Sequence, residues 1–380
     1  MRSTFAFPTA IRFGVGVRDE LAPTLQEHGS KRPLLVMDSG LAALPPFQAL
    51  VKALEDAGLA PAVFRDFAGT PTDAHVAAGV AAWRSHDADA LVAIGGGVGL
   101  DLGKVIALLA TNDGTVFDYE DRPGAKSAEN DLPPLIAIPT TAGTGSEVGR
   151  SSVISDSDDV KHVIFSPKLL PVKVLADPEL TLGLPAKVTA ATGMDALTHC
   201  VEAYLARGFH PLCDGIAIHG VRQIFASLRL AVEDGSNLEA RSGMLMAAMM
   251  GAVAFQKGLG AAHSLAHALG SVKQVHHGLA NALVLPAVLR FNKATSVDRL
   301  ATLGRTIGIV GDDDEAADQF IHAVEALRRQ IGIPAKLAEV GVEESDIPAL
   351  VAVAVKDGCH PFNPRACTGA DFEAMLRAML

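Results

Sequence analysis

A histidine-rich segment between residues 261 and 281 shows the clearest capacity for chemistry in the sequence. It contains His263, His267, His276 and His277, four of the 13 histidines in the chain. Imidazole titrates near neutral pH and is a common metal ligand. A single histidine in an alanine-rich stretch is more often a helix-surface residue, so a site here needs a carboxylate from elsewhere in the chain.

Such a carboxylate occurs in TGMDALTHCVEAY, where Asp195 and His199 are four residues apart. On a helix this spacing places both side chains on one face, and His263 and His267 repeat it. Alone, the first pair is better explained as a helix-surface ion pair. Three imidazoles and one carboxylate together suit Fe(II), Zn(II), Co(II) or Ni(II) and leave a coordination position open. Because a structural zinc site would more often use thiolates, the pattern predicts a catalytic metal.

A glycine loop lies in LVAIGGGVGLDLGK, from Leu91 to Lys104, where an apolar strand leads to three glycines and a helix expected to open near Asp101. Glycines let the backbone approach a ligand and direct free N–H groups at a phosphate. The loop matches neither standard fingerprint, because Leu100 replaces the third glycine of G-x-G-x-x-G and Val105 stands where a P-loop has Ser or Thr. It predicts a pyrophosphate site, with a simple tight turn as the alternative.

A second loop, IPTTAGTGSEV, follows another apolar strand and is rich in hydroxyl groups. Its possible donors to phosphate and ribose oxygens are Thr140, Thr141, Thr144, Gly145 and Ser146. Asp38, at the end of PLLVMD, could accept both ribose hydroxyls of the adenosine half and repel a 2′-phosphate, which favours NAD over NADP. A helix N-cap or turn aspartate is the alternative explanation for Asp38.

The elements that position these residues differ between the two halves of the chain. The first half alternates helical patterns with the apolar runs RPLLVMDSG, ADALVAIGGG, LPPLIAIPTT and VKVLADP. This alternation predicts a parallel sheet wrapped by helices, with ligands bound beyond the carboxyl ends of its strands. From about Leu184 only helical stretches follow. We therefore predict an α/β nucleotide-binding domain over 1–183 and an all-helical domain over 184–380, with the boundary near Gly183.

Composition narrows the classes of partner. A chain of 380 residues is longer than a single hydrophobic core usually supports, so two domains are expected. Its net charge of −11, with no cluster of Lys and Arg, argues against nucleic-acid binding. A hydrophobic content of 49% indicates much buried surface, so a homodimer or larger homo-oligomer is expected.

The sequence also predicts a cytoplasmic location without a membrane partner. The start, MRSTFAFPTAIRFGVG, has Pro and Arg where a signal peptide needs an unbroken apolar core. The four cysteines form no CxxC pair and fit reduced thiols. The longest apolar run, from Gly243 to Phe255, is too short to cross a bilayer and is predicted to be a buried helix.

Taken in order, the glycine loop, PTTAGTGSE, ADPELT, GMDALTHCVEAY, HSLAHALG and HHGLANALVLP resemble the iron-containing (group III) alcohol dehydrogenases over nearly the whole chain. The resemblance implies a Rossmann-like NAD(P) domain and a helical metal domain, the dehydroquinate synthase-like fold, with the active site between them. It also implies that Asp195, His199, His263 and His277 hold one divalent metal, Fe2+ in preference to Zn2+. His267 would lie by the nicotinamide as a proton relay, and His276 would be a bystander.

The resemblance and the strand-end positions described above together give the expected cofactor contacts. The residues expected to bind NAD, with NADP less expected, are Asp38, Gly96, Gly97, Val98, Asp101, Thr140, Thr141, Thr144, Lys161 and Leu180. The family's loop usually reads GGGS followed by Pro, whereas Val98 and Gly99 stand here, so one hydroxyl donor is lost. Near the C-terminus CHPFNPRACT matches the family's NPR segment, which would direct Cys359 and His360 to the substrate pocket.

The predicted reaction is reversible hydride transfer between a small alcohol or diol and nicotinamide, with the metal stabilising charge on the substrate oxygen. A glycerol-dehydrogenase-like or dehydroquinate-synthase-like zinc enzyme is an alternative within the superfamily. A metal-free maleylacetate-reductase-like enzyme fits less well, because all four ligand positions are filled. A protein that binds nucleotide or metal without catalysis is the alternative of a different class.

Overall fold

Short apolar runs form the strands of the first half of the protein. The structure is a computed structural model and describes residues 5–7, 9–158 and 160–380. Its strands are β1 (Ala10–Phe13), β2 (Pro33–Val36), β3 (Ala62–Phe64), β4 (Ala90–Gly95), β5 (Leu135–Pro139), β6 (Ser151–Ser155), β7 (Lys161–Phe165) and β8 (Lys173–Ala176).

Six of these strands form one parallel sheet in the order β1-β8-β5-β4-β2-β3. The four predicted strands, β2, β4, β5 and β8, are its contiguous centre, which confirms the predicted parallel architecture. Gly95 pairs with Pro139, so the glycine loop and the hydroxyl-rich loop leave neighbouring strands at the same edge. β6 and β7 form a separate antiparallel pair that the sequence analysis did not anticipate.

Helices alternate with the strands of the sheet. They are α1 (Leu21–Glu27), α2 (Ser39–Ala42), α3 (Pro45–Asp56), α4 (Asp73–His86) and α5 (Gly97–Thr111). Side chains of α1 and α3 share one buried cluster with strand residues such as Leu35, Ile94 and Ile138. Burying each such side chain contributes about 1.5–3 kcal/mol, which fixes the strand ends that carry the loops.

The second half is helical, as predicted. Its helices are α6 (Ala186–Leu205), α7 (Pro211–Glu233), α8 (Leu238–Ala254), α9 (Ala261–Lys273), α10 (His277–Thr306), α11 (Asp313–Gln330), α12 (Ile347–Ala354) and α13 (Gly369–Met379). α6 is buried over most of its length, because α7, α8, α9 and α10 all pack against it. α10 changes direction at Ser296, whose φ of −144° is not helical.

The described residues form two compact units. One comprises Phe7–Thr141 and Gly145–Thr181, and the other comprises Ala142–Thr144 and Leu182–Leu380 with Phe5 and Ala6. Among the described residues, one helical stretch, Leu238–Lys257, has the length and hydropathy to span a bilayer, yet 61% of its apolar window is buried inside the protein. Burial of this kind is also found in core helices of globular proteins.

Candidate active site

The glycine loop is shaped by close backbone approach. Gly95 has a φ of 145°, and a Cβ on Gly99 would lie 2.4 Å from the carbonyl oxygen of Ile94. A Cβ on Gly96 would lie 3.0 Å from the side chain of Thr141 on the second loop. α5 begins at Gly97 and not near Asp101, so Gly97, Val98 and Gly99 are its first turn. No side chain of the described residues caps this helix, which leaves first-turn N–H groups for a ligand.

Asp101 and Lys104 hold the two loops together. The Lys104 side chain is fully buried; its Nζ lies 3.3 Å from Asp101 Oδ1 and donates to the carbonyl oxygens of Ser146 and Ser151. Asp101 Oδ2 also accepts from the backbone N–H of Val153 at 3.0 Å. Lys104 therefore serves the packing of the loops, unlike the phosphate lysine of a P-loop. A direct contact of Asp101 with the cofactor stays a prediction.

The other residues predicted to bind the cofactor lie in different elements of the structure. Thr140 is buried, and its N–H bonds Gly95 O at 2.9 Å, while Thr144 falls in the three-residue segment that clusters with the helical unit. Asp38 is the N-cap of α2 and accepts from Leu41 N at 3.0 Å. This is the capping role considered as an alternative, and it leaves the second carboxylate oxygen for a ribose. Lys161 is exposed at the start of β7, and Leu180 lies in a short turn after β8.

The four predicted metal ligands converge within the helical unit. Asp195 and His199 lie on α6, His263 lies in the first turn of α9, and His277 is the first residue of α10. One ligand atom from each lies within 4.8 Å of the others. Asp195, His199 and His263 are buried, whereas the His277 side chain is 31% exposed. Nδ1 of His199 is buried without a hydrogen-bond partner among the described residues. These borderline donors fit a single divalent cation.

The electrostatics favour cation-binding protonation states at three of the four residues, whereas the pairing with Glu202 raises the pKa of His263 against the effect of burial. Burial alone would raise the pKa of Asp195, but the surrounding imidazoles lower it to about 2. Burial lowers the pKa of His199 to about 4 against the attraction of Asp195, and it lowers the pKa of His277 well below the usual value. At neutral pH the carboxylate is ionised and these two rings are neutral. A divalent metal therefore displaces few protons from them.

Three polar residues that the sequence analysis missed support this cluster. Asn281, one turn after His277 on α10, donates from Nδ2 to Asp195 Oδ1 at 2.8 Å. Glu202, three residues after His199, lies 2.7 Å from His263 Nδ1. Asp357 Oδ2 lies 2.7 Å from Nδ1 of His267. The helical spacing of Glu202 and Asn281 from ligand residues was the only sequence signal that could have indicated them.

His267 lies beside the ligands without belonging to them. Its ring stacks on His277 with the centroids 5.3 Å apart, and its side chain is 35% exposed. Asp357, which orients it, also accepts from Ser264 Oγ at 2.6 Å and from Cys359 N at 2.8 Å. Cys359 thus shares the surroundings of His267.

Two further histidines have other surroundings. The ring of His360 is hydrogen-bonded to Val355 O at 3.2 Å and packs on Phe372, and its place in the substrate pocket stays a prediction. His276 is exposed just before α10.

Comparison with known proteins covers both halves of the chain. Residues 8–178 match the family described as iron-containing alcohol dehydrogenase, and residues 189–380 match the C-terminal part of the Fe-containing alcohol dehydrogenase family. The chain is 43% identical over 378 residues to a 4-hydroxybutyrate dehydrogenase of Cupriavidus necator, covering 97% of each protein.

Two solved structures have the same fold throughout. A 1,3-propanediol oxidoreductase superposes with a TM-score of 0.96 at 36% identity, covering 100% of both chains. A sulfoacetaldehyde reductase from Bifidobacterium kashiwanohense, in complex with NAD+, superposes with a TM-score of 0.92 at 30% identity, covering 100% of this chain and 99% of the other.

Proposed function

The chain belongs to the iron-containing alcohol dehydrogenase family and is an oxidoreductase acting on CH–OH groups, and we propose that it interconverts a small terminal alcohol or diol and its aldehyde with a nicotinamide dinucleotide. The observation that carries the proposal is the convergence of one carboxylate and three imidazoles within 4.8 Å. A divalent metal held there by Asp195, His199, His263 and His277 supplies a Lewis acid for the charge that develops on the substrate oxygen.

The protein's own residues supply proton transfer. Asp357 accepts from Nδ1 of His267, which leaves Nε2 of His267 free to take up a proton. The ring is partly exposed, so it can exchange that proton with solvent. We therefore assign His267 as the proton relay for the alcohol hydroxyl, with Asp357 fixing its orientation.

We propose Fe2+ as the cellular metal and NAD as the cofactor. Iron follows from the family, although the same donors also accept Zn2+. NAD is supported by Asp38 beyond the end of β2, where a carboxylate disfavours a 2′-phosphate, and by the NAD+ complex of the sulfoacetaldehyde reductase. We assign the pyrophosphate to Gly96, Gly97 and Val98, whose backbone N–H groups open α5.

The relatives suggest a substrate class. 4-Hydroxybutyrate, 1,3-propanediol and sulfoacetaldehyde each carry a terminal alcohol or aldehyde and a second polar group at the other end of a short chain. We propose a substrate of this type. We also propose a cytoplasmic location, since all four cysteines are free thiols, and a homo-oligomer, since 49% of the residues are hydrophobic.

The direct test is an anaerobic assay of nicotinamide reduction with 4-hydroxybutyrate, 1,3-propanediol and methanol, each with NAD or NADP and with Fe(II) or Zn(II). We expect turnover that prefers NAD and requires metal. His277→Ala should lose metal and activity together, whereas His267→Ala should keep its metal and change the pH dependence of kcat. Absence of turnover with every alcohol, cofactor and metal would support a binding protein without catalysis.

A further inference from the structure

We propose that Glu202 is a positioning residue for the metal, fixing both the ring of His263 and the helix that carries it. The inference rests on the proposed metal site and does not depend on hydride transfer. Glu202 lies on α6 three residues after His199, so Asp195, His199 and Glu202 share one face of that helix. Its side chain is only 3% exposed.

The carboxylate of Glu202 satisfies the start of α9. Oε2 accepts from Gly260 N at 3.0 Å and from His263 N at 3.3 Å, and Oε1 accepts from Ala262 N at 2.7 Å. The N-cap residue of α9, Gly260, offers no side chain for this purpose. A negative charge at this position also interacts favourably with the helix dipole. Glu202 therefore ties the first turn of α9 to α6.

The same carboxylate determines which nitrogen of His263 faces the other ligands. Oε2 lies 2.7 Å from Nδ1 of His263. Because Oε2 already accepts backbone N–H groups, it acts as an acceptor for Nδ1–H as well. The lone pair of Nε2, which lies 3.4 Å from Asn281 Nδ2, then faces the position of the cation. Carboxylates that bond the outer nitrogen of a ligand histidine fix its tautomer and ring orientation and typically raise metal affinity about 10–100-fold.

The close packing around Gly260 is consistent with this role. A Cβ on Gly260 would lie 2.7 Å from Glu202 Oε1 and 2.8 Å from Asn363 Oδ1. Asn363 is fully buried and accepts from Ala261 N at 3.2 Å, so it shares the capping of α9 with Glu202. A residue with a side chain at position 260 would have to displace the carboxylate.

Replacing Glu202 with Gln tests the proposal through metal affinity. Gln has one acceptor oxygen, and if that oxygen serves the backbone of α9, its NH2 group faces Nδ1 of His263. The ring must then carry its proton on Nε2, toward the cation. We expect Glu202→Gln to bind Co2+ and Zn2+ about 10–100-fold more weakly, in competition with a chromophoric chelator. The visible absorption spectrum of bound Co2+ should also change, which loss of stability alone would not cause.

Asp214→Asn is the matched control. Asp214 is a carboxylate of the same unit, 2.6 Å from Lys257 Nζ and 3.0 Å from Arg299 Nη2, and it contacts no ligand in the described residues. Its loss should lower the thermal midpoint and leave the Co2+ affinity and spectrum unchanged. If Glu202→Gln does not fold, Gly260→Ala displaces the carboxylate without removing it and should weaken metal binding in the same direction.

The outcomes separate this inference from the proposed function. Metal affinity within twofold of wild type in the folded Glu202 or Gly260 variant would overturn the positioning role. An equal loss of affinity in Asp214→Asn would also overturn it. The wild-type protein could bind Co2+ more tightly than Glu202→Gln and still oxidise no alcohol. That result would support the positioning role of Glu202 and refute the proposed dehydrogenase activity.

Discussion

Glu147 shows at the scale of one residue what burial does to a carboxyl group. It lies near the end of the hydroxyl-rich loop, is 1% exposed, and its Oε1 has no hydrogen-bond partner among the described residues. Burial raises its pKa from the ordinary 4.5 to about 7, against the attraction of Lys104. A raised carboxyl pKa makes the folded state most stable below 4.5 and removes that stability as the pH rises to about 7. The loss corresponds to about 3 kcal/mol.

We therefore expect Glu147→Gln to become more stable than wild type as the pH rises. At about pH 5 the thermal midpoints of the two proteins should be similar, whereas at about pH 8 the variant should unfold several degrees higher. Glu55→Gln, on the exposed face of α3, controls for the loss of a surface charge. If the difference in thermal midpoint between wild type and Glu147→Gln is the same at both pH values, ionisation of Glu147 does not destabilise the folded state.

The residues of the metal cluster differ in how much of their role the sequence revealed. Asp195 and His199 are four residues apart on one helix, so local spacing was sufficient to predict their common face. Glu202 and His263 are 61 residues apart, and their contact depends on how α9 packs against α6. No periodicity encodes such a contact. Supporting residues of this kind become visible only when the tertiary structure is known.

At the scale of the element, the apolar strands that are almost entirely buried were predicted, whereas the less buried strands were not. β2, β4, β5 and β8 are buried apolar runs, whereas β3 has three residues and β1 alternates exposed and half-buried positions. β6 and β7 depend on pairing with each other, which local pattern does not show. The start of α5 was placed too late because glycine was taken as a sign of loop. Here Gly99 is needed in the first helical turn for the approach to Ile94 O.

The close packing of α10 against α6 should also determine the positions of the predicted metal-binding residues. Gly278 follows His277 at the start of α10, and a Cβ there would lie 2.4 Å from Ala191 O on α6 and 3.3 Å from Asp195 Cβ. Gly278→Ala must therefore push α10 from α6 and separate His277 from Asp195. We expect roughly a tenfold or greater loss of Co2+ affinity, measured by chelator competition, and a lower thermal midpoint.

A second glycine supplies the control for this substitution. Gly215 lies on the exposed face of α7, where an added Cβ would meet no atom within 4 Å. Gly215→Ala should stabilise α7 by up to about 1 kcal/mol through helix propensity and leave metal affinity unchanged. Unchanged affinity in Gly278→Ala would mean that the metal ligands tolerate a shift of α10.

At the scale of the whole molecule, the residues predicted to bind the metal and those predicted to bind the pyrophosphate lie in different compact units. All four predicted metal-binding residues lie in the unit that contains Leu182–Leu380, whereas the predicted pyrophosphate residues Gly96, Gly97 and Val98 lie in the other. A ligand that binds only the folded state stabilises it by about 4 kcal/mol at a thousandfold excess over Kd. If the predicted domains 1–183 and 184–380 unfold separately, each ligand should stabilise mainly its own unit.

Hydrogen exchange with mass spectrometry can measure this separation in the intact protein. Adding Zn2+ to chelator-treated protein should slow exchange in α6, α9 and the first half of α10, with little effect in β4 and β5. Adding NAD should slow exchange around β4, β5 and α5. The His277→Ala protein should lose the response to Zn2+ and keep the response to NAD, because only the metal site is altered. Equal protection of sheet and helices by Zn2+ alone would show that the two units unfold as one cooperative structure, and the predicted boundary near Gly183 would then not divide two folding units.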